Sequence, residues 1–250
     1  MLPPLNIIGH AFIELQTVDS TNNYATALLH EGMAQHGTVV FAHHQTHGRG
    51  QRTREWKTPH GAGISLSIIV QPVALSISDL FLLSMATAVA AHRFFARYAG
   101  SDTKVKWPND LYWGDRKAGG ILIENSIAGS KWKHAIVGIG ININQTEFEP
   151  ALLSAVSLKQ ITKQHGEVLM LAKELCVDVQ LAYEEMWQNA QGIVDDYHKI
   201  LYKLNEVATL KKGSKVFSTR IKGVTREGKL IGGNGVEELF SVGEVEWKIN

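Results

Sequence analysis

Three short stretches of this chain gather residue types that can handle a small anionic ligand. Residues 47–56, His-Gly-Arg-Gly-Gln-Arg-Thr-Arg-Glu-Trp, set three arginines among two glycines. Gly48 and Gly50 permit close backbone approaches that a Cβ would forbid. Arg49, Arg52 and Arg54 carry planar, permanently charged forks suited to phosphate or carboxylate, and Trp56 can cover a ring or an apolar tail. Alone, such a loop is more often a solvated turn. In the second stretch, Lys104-Val-Lys-Trp-Pro-Asn-Asp-Leu-Tyr-Trp113, a strand ended by Pro108 puts Asn109 and Asp110 at its mouth. There they can meet a ligand or a metal, although Pro-Asn-Asp is equally good turn chemistry. The third, Lys117-Ala-Gly-Gly-Ile-Leu-Ile-Glu124, places a lysine at a glycine-softened strand entry, able to point at a phosphate or simply to mark a solvated edge.

Positioning these groups takes strands and helices in a definite order. Ser20 or Thr21 can cap a helix beginning at Asn22. Thr38–Ala42 is β-branched and apolar, a buried strand leading into the arginine loop, and Ile64–Val70 is the next strand. Ser78-Asp79 opens a long helix to about Tyr98. Val105–Trp107, Gly120–Glu124 and Ala135–Ile143 read as strands, and residues 167–202 have the spacing of an amphipathic helix. Beyond about 204, short apolar pieces broken by glycines predict a small all-β module, a barrel of short strands.

Bulk composition narrows the function classes. With 250 residues, 44% hydrophobic and 20% charged, the chain has room for one large domain or a large and a small one. A formal net charge of +1 argues against non-specific nucleic-acid binding. The single cysteine, Cys176, sits among Leu171, Leu175 and Val179 and reads as a buried helical thiol. The N-terminus lacks a secretory signal pattern, and Leu80–Ala91 is too short to span a bilayer, so a reduced, cytoplasmic setting without membrane contact is expected. His43 and His44 point to opposite faces of a strand and, with His47, match no standard zinc spacing, so packing or loop contacts are expected of them. Residues 211–229 carry seven cations against Glu227, a local excess of +6. That is read first as a solvated face, with steering of an acidic acceptor or of ATP phosphates as the sharper alternative.

Taken in order, these features resemble the biotin protein ligases (biotin–[acetyl-CoA-carboxylase] ligase) over about residues 15–145. The features are a capped helix start at Asp19–Asn22, Gln45 ahead of Gly-Arg-Gly, Lys-Trp-Pro-Asn-Asp, Lys-x-Gly-Gly-Ile-Leu-x-Glu and Gly-Ile-Gly-Ile-Asn-Ile-Asn144. The resemblance implies an α+β fold, a mixed β-sheet flanked by helices over 1–203, followed by a small SH3-like β domain at 204–250. It implies ATP-dependent activation of biotin to biotinyl-5′-AMP and transfer to a lysine of a biotin carboxyl carrier domain, with Mg²⁺ accompanying ATP. Ser20, Thr21, Asn22, Gln45, Gly48, Arg49, Gly50, Gln51, Lys117, Gly119 and Gly120 would surround biotin. Arg49, Gln51, Arg52, Arg54, Trp56, Asn109, Asp110, Lys117 and Asn142 would meet ATP, Asp110 through Mg²⁺, and Lys117 with Arg49 would be catalytic.

The segment ahead of these motifs is too short for an N-terminal helix-turn-helix, so a monofunctional form that binds no DNA is expected; a homodimer is left open. In the loop, Gln51 and Thr53 replace an arginine and a glycine of the commonest family pattern. A looser hold on biotinyl-5′-AMP is expected, with activity retained. The loop is expected to order on ligand binding. The competing readings are a lipoate or octanoate ligase or transferase, whose fold is related, and a biotin-sensing module that transfers nothing.

Overall fold

A computed structural model describes residues 6–52, 54–72, 75–149 and 154–248; Thr53 lies outside the described residues. Strand β1 (Phe12–Val18) runs parallel to β2 (Val39–Gln45). A parallel pair needs a crossover, supplied here by helix α1 (Thr21–His30). Strands β3 (Gly63–Val70), β4 (Thr103–Lys106), β5 (Asp110–Trp113), β6 (Arg116–Ala128) and β7 (Lys131–Asn142) complete a seven-stranded mixed sheet of order β1-β2-β3-β7-β6-β5-β4.

Each strand presents alternate residues to opposite faces, and the two faces differ. On one, Val39, Phe41, Ile64, Leu66, Ile68, Val137, Ile139 and Ile141 pack in the main core with helices α2 (Leu80–Ala99) and α4 (Val168–Gln188). Each fully buried side chain of this kind contributes roughly 1.5–3 kcal/mol. On the other face α1 lays Ala25 and Leu28 on Val40, Ile69 and Ile136. This short helix contacts β2, β3 and β7, and the polar residues of that face remain to build a site. The span Ile77–Ala99 is long and apolar enough to cross a membrane by length and composition, yet 61% of its apolar window is buried within the protein. Cys176 is buried on α4, which pushes its thiol up to about 12.

The strand expected over Val105–Trp107 does end ahead of Pro108, as β4; the chain then turns and returns as β5, pairing Lys106 with Asp110, so the turn chemistry and the strand mouth coexist. One expectation changes. The helix expected over 167–202 breaks at Asn189, whose side chain accepts a hydrogen bond from Gly192 N (3.0 Å) and starts α5 (Ala190–Lys199). Residues 200–202 then hydrogen-bond along β4 through Val105. A short helix α3 (Leu158–Thr162), β1 and β5 are elements that the apolar periodicity did not announce.

From Val207 the chain forms a second, five-stranded antiparallel sheet. Its members are β8 (Val207–Lys212), β9 (Lys215–Val224), β10 (Leu230–Gly232), β11 (Glu238–Phe240) and β12 (Glu246–Lys248), in the order β11-β10-β9-β8-β12. This is the small SH3-like module. It docks through two indoles: Trp107 donates to the Gly228 carbonyl and Trp247 to the Trp107 carbonyl, both at 3.0 Å. Its basic stretch is partly neutralised by Lys212–Glu244 (2.5 Å), Lys222–Glu237 (3.2 Å) and Arg226–Asp79 (2.9 Å).

Candidate functional site

Across the open face of the sheet, register places Ser65, Gly140, Gly120, Asp110 and Lys106 in one row from β3 through β7, β6 and β5 to β4. The glycines lower the floor. A Cβ on Gly140 would overlap the Trp56 indole, and one on Gly138 would overlap the Asn22 amide. At Gly120 a Cβ would lie 3.4 Å from Lys117 Nζ and 3.6 Å from Asp110 Oδ1, so its absence leaves those two groups room to meet. Above this floor lies a cavity of about 540 Å³.

At the β2–β3–β7 end the wall is a hydrogen-bond network. Gln45 Oε1 accepts from Thr21 N (2.8 Å) and Thr21 Oγ1 (3.2 Å); Ser67 Oγ donates to Thr21 Oγ1 (2.7 Å) and Asn22 Oδ1 (2.5 Å). Ser20 is the N-cap residue of α1, but its hydroxyl makes no cap bond; the Gln45 side chain takes up the free amide of Thr21 instead. Asn22 Nδ2 donates to Glu124 Oε2 (2.7 Å), which also accepts from Arg49 Nη1 (3.0 Å), while Arg49 Nη2 donates to Glu124 Oε1 (2.6 Å). Arg49 is thereby held bidentately by a carboxylate.

Toward β4 the wall is ionic. Asp110 is clamped between Lys117 Nζ on Oδ1 (2.6 Å) and Lys106 Nζ on Oδ2 (3.2 Å). Burial would raise its carboxyl, but the Lys117 and Lys106 ammonium groups outweigh that and hold it below its ordinary value. Tyr112, whose ring lies 4.5 Å from Lys106 Nζ, is pushed up to about 12 by burial and then by the Asp110 charge. The 48–56 loop is pinned by Trp56 N to Gly48 O and Gly50 N to Arg54 O, both 2.8 Å. The hairpin so formed brings Trp56 over the floor with its indole N–H buried and unpartnered.

A profile of the Biotin/lipoate A/B protein ligase family matches residues 14–142, more than half of the chain. The chain belongs to this family. The Bifunctional ligase/repressor BirA of Bacillus spizizenii is 35% identical over 139 residues, covering 56% of this chain and 42% of that protein. The Escherichia coli protein of the same name is 28% identical over 234 residues, covering 89% and 69%. The chain thus spans less than half the length of the Bacillus relative. Among solved structures, the biotin protein ligase from Aquifex aeolicus in complex with biotin and ATP superposes with a TM-score of 0.80 at 23% identity, covering 96% of this chain and 100% of that one; this shows the shared fold.

Within this biotin/lipoate ligase fold the expected residues converge closely. Ser20, Thr21, Asn22, Gln45, Arg49, Gly50, Gln51, Arg52, Arg54, Trp56, Asn109, Asp110, Lys117, Gly120 and Asn142 all line the one cavity. Gly48 and Gly119 do not. Gly48 makes room for the Trp56 carbonyl and the Gln45 amide, and Gly119, paired with Ile141, faces the opposite side from Gly120. Each oxygen of Asp110 pairs with an ammonium group, and among the described residues no three His, Cys, Asp or Glu side chains converge as a metal site, so a magnesium ion at Asp110 would be held together with the nucleotide's phosphates. The histidines pack instead: His43 bonds Glu14 (2.7 Å) and stacks on His60.

Three residues were missed by sequence reasoning: Glu124, Ser67 and Lys106. Ser65 and Ser67 alternating with Ile64 and Leu66 did signal a polar sheet face, and Glu124 closes an otherwise apolar run. Lys106 gave no signal beyond its place before Trp107-Pro108.

Proposed function

We propose that the chain activates biotin with ATP, forming biotinyl-5′-AMP and pyrophosphate, and transfers biotin to one lysine of a biotin carboxyl carrier domain. The observation that carries this reading is the division of one glycine-floored cavity into a hydrogen-bonding end and a cationic end. Thr21, Asn22 and Gln45 supply donors and acceptors suited to a neutral polar ring. Lys117 and Arg49 face the middle, where the acid's carboxylate oxygen bonds to the α-phosphorus and the bond from that phosphorus to the pyrophosphate oxygen breaks. Fixed cations there meet the charge that builds in the transition state. Trp56 covers the reacting atoms and offers a free indole N–H. The second step needs the acceptor amine to attack the mixed anhydride's carbonyl carbon, AMP departing and the amine losing a proton.

Magnesium fits this reading as an ion carried by the nucleotide's phosphates, for which Asp110, already paired with Lys117 and Lys106, would supply a remaining lone pair. Residues 204–250 act in it as a second domain that closes the cavity with Val242, Gly243 and Trp247. The chain works in a reducing, cytoplasmic setting, in keeping with its lone buried Cys176.

ATP–pyrophosphate exchange with biotin, lipoate, octanoate or no acid tests the reading. Exchange with biotin alone is expected. Exchange with lipoate would transfer the assignment to the lipoate branch, and exchange with none of the acids would leave a binding module.

A further inference from the structure

We propose that Lys106 is a further catalytic residue, the cation that receives the departing pyrophosphate; this rests on the adenylation reading above. Three observations carry it. First, the sheet is a ruler. Strands lie about 4.8 Å apart, and the acid-binding network stands over β2, β3 and β7, Lys117 at β6, Asp110 at β5 and Lys106 at β4. Displacement at the α-phosphorus keeps attacking and leaving oxygens in line. An acid held over β3 and β7 therefore drives the leaving group over β5 toward β4.

Second, the charges do not balance. Asp110 is the one carboxylate, among the described residues, within 4.0 Å of either the Lys106 or the Lys117 ammonium. Two cations share one anion, and the surplus positive charge sits where the Lys106 side chain is only 12% exposed. A buried surplus charge is costly unless an anion completes it. Third, Lys106 is held in place on both sides, by Asp110 at 3.2 Å and by the Tyr112 ring at 4.5 Å, while lining the cavity. The electron pair of the breaking P–O bond leaves with pyrophosphate, and that oxygen's growing charge meets the ammonium.

Lys106→Met and Lys106→Arg test this in two separate half-reactions. In biotin-dependent ATP–pyrophosphate exchange, Lys106→Met should lower kcat on the order of 10²-fold and raise the KM for pyrophosphate about tenfold. Lys106→Arg should recover most of both. Transfer from preformed biotinyl-5′-AMP to a carrier domain, which involves no pyrophosphate, should change by less than about twofold in either variant. An unchanged pyrophosphate KM, or exchange and transfer falling together, would overturn the role and leave Lys106 as a structural partner of Asp110. A wild-type protein that transfers preformed biotinyl-5′-AMP but shows no biotin-dependent exchange would overturn adenylation itself, and this inference with it.

Discussion

The 48–56 loop and the 103–113 hairpin both deliver cations to one cavity, by opposite means. The hairpin belongs to the sheet: Lys106 and Asp110 face each other across β4 and β5, their side chains 12% and 13% exposed, and Lys117 joins them from β6. Its charges are set before any ligand arrives. The loop is fastened by its own backbone hydrogen bonds, by the Trp56 indole seated on Gly140, and by Arg49 on Glu124, a pair 43% and 32% exposed. To reach a ligand, Arg49 must first give up Glu124. Preorganised charge serves the reacting phosphate, where reorganisation during the reaction would cost rate. Exchangeable charge serves entry and release, where water or a ligand can reach a partly exposed pair and take the carboxylate's place.

Breaking the hairpin should have the largest effect. Asp110→Asn leaves two ammonium groups without a counter-charge, and exchange should fall on the order of 10²-fold or more, with stability lowered by roughly 3–5 kcal/mol. The sign with pH follows from the depressed carboxyl: its contribution is complete above the unfolded value of about 4 and is lost as the pH falls through the lowered folded value. Acid unfolding should therefore be shallower in the variant than in the wild type. Wild-type acid unfolding and undiminished exchange in Asp110→Asn would show the cluster to be ornamental.

Gly140→Ala attacks the seam between the two regions, since the new methyl would displace the Trp56 indole. Overpacking of about 1–3 kcal/mol is expected to appear as a KM for biotin or ATP raised at least several-fold, with Trp fluorescence reporting the moved indole. An unaltered KM would mean that Trp56 is not the cover over the floor. Glu124→Gln should have the smallest effect and the opposite sign. Gln can still accept from Asn22 while releasing Arg49, so the biotin KM should fall, by at most about fivefold, and less at high salt. A rise instead would make Glu124 a support for the site rather than a competitor with the ligand.

Much of the chemistry was legible in the sequence. The Gly-Arg-Gly loop, Asn109-Asp110 and Lys117 were each ambiguous alone and became site candidates through their order and the family resemblance it carries, and they do meet around one cavity. Boundaries were less legible. A four-residue strand such as β5 carries too little periodicity to outweigh Pro-Asn-Asp turn chemistry, and the break at Asn189 rests on one side-chain cap within an otherwise continuous helical pattern. Glu124 and Lys106 stayed silent because their partners are 75 residues and one strand pairing away, respectively.

The sequence by itself determined most of the longer strands and helices, and which side chains have the chemistry to handle an acid and a phosphate. Those properties depend on residue type and on spacing along a few turns or pleats. Only the tertiary structure decided that Ser65, Gly140, Gly120, Asp110 and Lys106 form one row, that Asp110 pairs with two lysines, and that Arg49 rests on Glu124. Strand register sets these relations, and register is fixed by packing the whole apolar face against α2 and α4, which no local segment encodes.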